Sequence, residues 1–393
     1  MISRKEALRR ITAAAWCLPT TPTPLEEANG RILAEDVMSD IDIPPFDKSS
    51  MDGYACRAAD AAGPLRVLEH IPAGRVPTKT IAPGTCSKIM TGAPVPDGAD
   101  CILIVEQVES IDDDTIRFTG TTTKSNICLK AEDVRIGDRV LRAGTRLGPQ
   151  HVPVLASVGY AHPLLASQPR VAVMATGDEL VPASEPPAPG KIRNSNSVQL
   201  AALAVGAGGI ATDLGIVPDE MDAMAKAWED ALTNHDVVLS TGGVSMGDYD
   251  LVPDILKHLG FDIHFDRVAV QPGKPVLFGT RGQQACFGLS GNPASSFLQF
   301  NLFVAPFLWH LQGGKPPTRI VPLPLGHTFT RRNGAREGWV PVQIDDSHRV
   351  VSVAFHGSAH IHSFTAADGL IAFPAGETTL KTGSTAMVHF FSR

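Results

Sequence analysis

Apolar positions recur along this chain with two different periods, and the changes between them divide it into regions. At the start, Ser3 and Glu6 fit a capping box ahead of an amphipathic helix with Ala7, Leu8, Ile11 and Ala15. A turn-rich passage, IDIPPFDKSSMDGYA, follows. From about Pro64 to Leu147, short β-branched runs (LRVLEHI, CSKIM, CILIVEQVES, TIRF, DRVL) alternate with Gly and Pro, which predicts a β-rich module. Between Gly148 and Leu165 a Pro-bounded apolar pattern predicts a helix returning toward the N-terminal segment, so the first unit is expected to be discontinuous.

From Arg170 to about Gly313, strand and helix patterns alternate. RVAVMATGDEL, GIATDLGIV, DVVLSTGG, HFDRVAV, PVLFGT and ACFGLSGNP carry strands. NSVQLAALAVGAGG, DEMDAMAKAWEDALT and YDLVPDILKHLG carry helices, and ASSFLQFNLFVAPFLWHL a long buried one with Phe297, Phe300, Phe303, Phe307 and Trp309 as core. The second of these helices is expected to be capped by Asp219 and to bury Met221, Met224, Ala225, Trp228 and Leu232. Strands separated by helices imply a largely parallel sheet with ligands at its carboxyl ends. After GGKPP, short strands return (RIVPLPL, GWVPVQI, RVVSVAF, GLIAFP, TAMVHFF). The expected architecture is multi-domain α/β plus β. A discontinuous helical N-terminal unit spans 1–43 and 140–168, a β-rich unit 44–139, an α/β unit with a mostly parallel sheet 169–315, and a small β-barrel-like unit 316–393.

Composition changes this picture little. A chain of 393 residues exceeds the size at which a single core keeps growing. With 43% hydrophobic and 19% charged residues it reads as an ordinary soluble protein, and a net charge of −7 argues against non-specific nucleic-acid binding. The six cysteines show neither a C-x-x-C pair nor zinc spacing, which fits reduced thiols in the cytosol. The histidines, among them His258, His264, His310, His356, His360 and His362, form no H-x-x-x-H pair and are expected to be mostly structural. No apolar run is long enough to span a bilayer, so a cytoplasmic location without membrane contact is expected.

The candidate chemistry concentrates in DVVLSTGGVSMGDYD, which ends at Asp250. An apolar strand runs into a turn where Gly242 and Gly243 let the backbone approach an anion, and the next helix start offers unpaired N–H groups. Asp248 and Asp250 add hard oxygen donors suited to Mg²⁺. Two further Gly turns, TGDEL and LSGNP, also follow apolar strands.

Six passages, PPFDKSSMDGYA, IMTGAPVPDGAD, ATGDEL, STGGVSMGDYD, QPGKP and GLSGNPAS, together resemble the molybdopterin molybdenumtransferases, the MoeA family that includes the gephyrin E domain. The resemblance implies a cytosolic homodimer of four-part subunits whose third part is MogA-like. Its active cleft would form between that part of one protomer and the second part of the other. It also implies conversion of adenylylated molybdopterin and molybdate into molybdenum cofactor and AMP, with Mg²⁺. A MogA-type adenylyltransferase and molybdoenzyme apoproteins are the implied partners.

On this resemblance the catalytic candidates are Asp52, Thr91, Asp133, Glu179, Asp219 and Asp250, with Glu179 and Asp250 as metal ligands. Ser240, Gly242, Gly243, Ser245, Gly247, Asp248, Gly291, Asn292 and Pro293 would bind the pterin substrate, and Lys274, Ser295, Arg336 and Ser358 molybdate. Turn chemistry alone also accounts for Asp52 and Thr91, and an N-cap for Asp219. The chain departs from the family pattern at Cys128 and Ala131, where relatives often carry basic residues and a Gly, at Gln271 for a Lys, and at Ser290 for a Pro. Two other readings use the same residues: a scaffold that keeps the dimer without the chemistry, and an insertase for tungstate.

Overall fold

The computed structural model describes residues 1–243, 251–316, 319–355 and 357–391. Its first helix, α1 (Arg4–Ala14), is capped by Ser3, whose hydroxyl accepts from the Glu6 amide at 3.2 Å. The Glu6 carboxylate turns outward instead of completing the box. Hydrogen bonds from Arg9 and Arg10, each 2.8 Å, hold its pKa down at about 2. Exposed pairs of this kind contribute little to stability. Burying one Ile is worth roughly 1.5–3 kcal/mol, so the buried Ala7 and Ile11, packed in one cluster with Phe265, Phe303 and Phe307, decide where the helix lies.

The β-rich region contains β1 (Gly53–Cys56), β2 (Pro64–Ile71), β3 (Thr85–Ile89), β4 (Cys101–Ile104), β5 (Val108–Ser110) and β6 (Thr115–Phe118). They form one sheet in the order β4-β1-β3-β2-β6-β5. The last run expected in this module, DRVL, lies elsewhere: Arg139–Leu141 pairs with Val37–Met38. The helix expected over Gly148 to Leu165 is also shorter than its apolar pattern. Only Val152–Ser157 is helical, and Gly159 at φ +79° ends it in the left-handed region that glycine tolerates. The return to the N-terminal segment is made by a strand, Leu164–Ala166, antiparallel to Thr20–Pro22.

The α/β region runs β7 (Arg170–Thr176), α2 (Asn196–Gly206), β8 (Ile210–Val217), α3 (Met221–Asn234), β9 (Val237–Thr241), α4 (Val252–His258), β10 (Asp262–Arg267), β11 (Pro275–Arg281), β12 (Gln284–Leu289) and α5 (Pro293–Gln299). Sheet order is β8-β7-β9-β12-β11-β10. The first four strands are parallel, and β11 and β10 join antiparallel at one edge. Because successive residues of a strand face opposite ways, Val237 and Leu239 of β9 enter the core shared with α1, while Val238 enters the core with Trp228. Covering both faces is why these strands read as continuous apolar runs. On α3, Met224, Trp228 and Leu232 are buried as expected, whereas Met221 is 41% exposed. The long helix after β12 is interrupted by a π turn at Phe300–Val304, just before Pro306, whose ring and missing N–H disturb the preceding turn.

In the C-terminal region Glu337–Ile344, Gly369–Phe373, Thr385–Phe390 and Ile320–Pro324 form a sheet in that order. Its edge is completed by Val270–Gln271, a strand contributed from the α/β span. The start of the chain ties the same place together. The Ile2 amide donates to the Arg267 carbonyl, the Ala269 amide to the Ile2 carbonyl, and the Glu337 amide to the Ala269 carbonyl. Arg4 pairs with Glu337 at 2.9 Å and lies over Trp339. Among the described residues no helix is long and apolar enough to cross a membrane.

Candidate functional site

β7, β9 and β12 all end on one side of the sheet, at Thr176, Thr241 and Leu289. A cleft of about 1410 Å³ opens there, bounded by the strand-end turns and by Arg331, Arg332, Arg336, Trp339 and Ser358 of the C-terminal region. Two glycines show why the turns take no side chain. Gly242 has φ +96°, and a Cβ on it would come within 2.2 Å of the Thr176 carbonyl oxygen. At Gly177 a Cβ would meet the Glu179 carboxylate at 2.5 Å, so the missing side chain leaves room for that carboxylate at the cleft.

The strand-end loops are pinned to one another by buried amides. Gln299 is fully buried on α5; its Oε1 accepts from the Ser290 amide at 2.8 Å, and its Nε2 donates to the Gly273 carbonyl at 3.0 Å and to the Pro275 carbonyl. One side chain thereby joins the PGKP loop to the SGNP loop. Asn196, at the start of α2, donates through Nδ2 to Thr241 Oγ1 at 2.9 Å and to the Gly291 carbonyl at 2.7 Å. Thr241 in turn donates to the Ser290 carbonyl at 3.0 Å.

Among the described residues cations dominate the lining: Arg193, Lys274, Arg331, Arg332 and Arg336 face one carboxylate, Glu179. Arg331 is committed to structure, donating to the carbonyls of Arg336, Pro374 and Glu377 and lying over Phe373. Arg336 is oriented by donation to the Val270 carbonyl at 3.0 Å. Lys274 has no ion-pair partner among the described residues. The Ser358 carbonyl accepts from the Ala294 amide at 3.0 Å, which seats that loop on the first turn of α5 beside the buried Ser295. An arrangement of two cations, two hydroxyl-bearing residues and Gly turns suits a compact polyanion.

Ten sequence candidates therefore line one cleft: Glu179, Gly242, Gly243, Lys274, Gly291, Asn292, Pro293, Ser295, Arg336 and Ser358. Asp219 stands just behind it. It is not an N-cap, because α3 starts at Met221 after Glu220 and has no side-chain cap; Asp219 instead accepts from Thr176 Oγ1 at 2.9 Å. Ser240 does not line the cleft, since strand alternation turns its fully buried side chain to the face opposite Thr241. Ser245, Gly247, Asp248 and Asp250 lie outside the described residues, as does His356. Among the described residues no group of three His, Cys, Asp or Glu side chains could hold a metal.

Asp52, Thr91 and Asp133 form no part of this cleft within one chain. Asp52 and Thr91 touch: Asp52 Oδ1 accepts from the Thr91 amide at 2.7 Å and its hydroxyl at 2.8 Å, and these bonds hold the carboxyl below its ordinary pKa. Asp133 is exposed in a neighbouring turn, its amide bonded to the Ile43 carbonyl at 3.0 Å. Sequence reasoning missed Asn196, Thr241 and Gln299, whose partners lie far along the chain and are mostly backbone groups, so no local pattern marks them.

Known proteins resemble this chain over nearly its whole length. Family profiles for the MoeA N-terminal region (domain I and II), a probable molybdopterin binding domain and the MoeA C-terminal region (domain IV) match residues 2–159, 172–310 and 324–391. Proteins named molybdopterin molybdenumtransferase from Staphylococcus aureus (strain Mu50 / ATCC 700699) and Bacillus subtilis (strain 168) are each 35% identical. The first match covers 97% of this chain and 93% of the relative, the second 98% and 92%. The crystal structure of the molybdopterin biosynthesis moeA protein from Pyrococcus horikoshii OT3 superposes with a TM-score of 0.84 at 29% identity, over 100% of both chains.

Proposed function

Because this chain belongs to the MoeA family of molybdopterin molybdenumtransferases, and so is a transferase of molybdenum cofactor biosynthesis, we propose that its substrates are adenylylated molybdopterin and molybdate and that AMP is released. The observation that carries this reading is the convergence of Lys274, Ser295, Arg336 and Ser358 with the Gly turns and Glu179 in one cleft. Lys274 and Arg336 counter the molybdate dianion, and the Ser295 and Ser358 hydroxyls donate to its oxygens. The amides of Gly243 and Gly291 receive the phosphoanhydride end, since that of Gly242 is spent on the Leu289 carbonyl, that of Asn292 on Ser290 Oγ, and Pro293 has none. Water cleaves the phosphoanhydride and AMP departs; the two pterin thiols then bond molybdenum as one molybdate oxygen leaves as water.

Mg²⁺ commonly binds one or two carboxylates together with substrate phosphates and waters, and the exposed Glu179 at the cleft, with Asp250 as the second candidate, fits that donor set. Bound there, the ion would neutralise phosphate charge. Asp219, through Thr176, positions the turn that bears Glu179. We assign Asp52, Thr91 and Asp133 to the partner's cleft in a homodimer, with subunits of four units divided at the boundaries set out above. Sedimentation showing only monomer at working concentration would remove that assignment.

The test is AMP release coupled to reconstitution of a molybdenum apoenzyme, with and without molybdate and Mg²⁺. Lys274→Ala should retain the fold and lower reconstitution by about tenfold to a hundredfold, the worth of a lost charge-assisted contact. Substrate binding without AMP release by the unaltered protein would favour the scaffold reading, and preference for tungstate would change the oxyanion alone.

A further inference from the structure

The Asn196 amide is fixed in one orientation by its neighbours. The Gly291 carbonyl can only accept, and Thr241 spends its hydroxyl hydrogen on the Ser290 carbonyl, so both groups need the Asn196 N–H pair. Turning the amide over would set Oδ1 against the Gly291 carbonyl. Oδ1 therefore points away from both. The residue is 9% exposed and lines the cleft, yet Oδ1 is buried and has no hydrogen-bond donor among the described residues. An acceptor left this way costs free energy unless a ligand supplies the donor.

Molybdate and ionised phosphate offer only acceptor oxygens, so the cationic residues and Asn196 must serve different parts of a ligand. Resting on the pterin-substrate reading above, we propose that Asn196 Oδ1 is a specificity-determining acceptor for the exocyclic amino group of the pterin. That amine is the outermost donor of the pterin ring and carries two hydrogens, one of which would meet the unpartnered oxygen. The cleft is then divided in its recognition: Lys274 and Arg336 read the oxyanion, and Asn196 reads the heterocycle.

Binding of metal-free molybdopterin and of molybdate, each measured separately by calorimetry under anaerobic conditions, tests this in full-length wild type and Asn196→Ala. The variant should bind molybdopterin about tenfold or more weakly, through loss of the Oδ1 acceptor together with the Nδ2 bonds that hold Thr241 and Gly291, and the lumazine comparison below separates the two. Its molybdate affinity should stay within about twofold. Parallel weakening of both would assign Asn196 a merely structural role, and no change in either would also overturn the proposal. If wild type binds neither probe, the functional reading fails and not this residue's role alone. A measurement on wild type keeps the test open should the variant fail to fold. There 6-hydroxymethylpterin should displace molybdopterin at about a tenfold lower concentration than the matching lumazine, whose oxo group replaces the amine. Equal potency, or displacement by neither, overturns it.

Discussion

Gln299 is the residue on which the anion end of the cleft depends most. Its amide is the partner of three backbone groups belonging to two loops. Gln299→Leu fills much the same volume but orphans the Ser290 amide and the Gly273 and Pro275 carbonyls. At 1–3 kcal/mol for each orphaned buried group, with some rehydration, a loss of about 3 kcal/mol is expected. Chemical denaturation would measure it, and reconstitution should fall because Lys274 sits between two released carbonyls. From sequence this residue is silent, for a single Gln among Phe297, Phe300 and Phe303 carries no periodic signal and its partners are backbone groups with no side-chain signature. Lys274, Glu179 and the Gly turns are legible because their residue types have few other uses at a strand end. Asp219 shows the opposite error: an acidic residue just before a helix matches the capping rule, but the Thr176 hydroxyl across the sheet end engages it first.

At the scale of elements, the α/β sheet was the most legible part, since strands buried on both faces leave long apolar runs that end in Gly turns. Pairing partners were less so. Arg139–Leu141 and Leu164–Ala166 are β-like in sequence, but which strand each joins depends on contacts more than a hundred residues away, beyond the reach of local periodicity. The C-terminal sheet carries a pH consequence. His389, on Thr385–Phe390, packs its ring edge-on against Trp339, with centroids 4.9 Å apart, and Trp339 lines the cleft. Burial first, and the charge of Arg4 second, lower the pKa of His389. A lowered folded-state value means that unfolding takes up a proton. The stability present above the ordinary value of about 6.5 is therefore lost as pH falls through the folded-state value. Thermal midpoints measured from about pH 7.5 down to about 5 should drop more steeply for the unaltered protein than for His389→Gln. His264, also lowered by burial, adds a loss of the same sign in both proteins and leaves the difference intact.

For the whole molecule, the α/β and C-terminal regions share the cleft, and what registers them is a seam made of Ile2, Arg4, residues 267–271 and Glu337. Arg4→Ala removes a half-buried ion pair and the cation over Trp339. A loss of about 1 kcal/mol is expected, together with faster amide hydrogen exchange along Glu337–Ile344 and weaker molybdate binding. Unchanged exchange there would mean that the Val270–Gln271 strand holds the seam unaided. The seam also sets an order of events during synthesis. The β-rich sheet pairs only residues between Gly53 and Phe118, so it is able to close early on the ribosome. Helix α1 waits long: the core that buries Ala7 and Ile11 is completed only when Phe265 and Phe303 emerge, and among the described residues Arg4 has no ion-pair partner until Glu337 is translated. The apolar stripe of Ala7 and Ile11 thus stays partly uncovered while the chain between it and Phe303 is being translated.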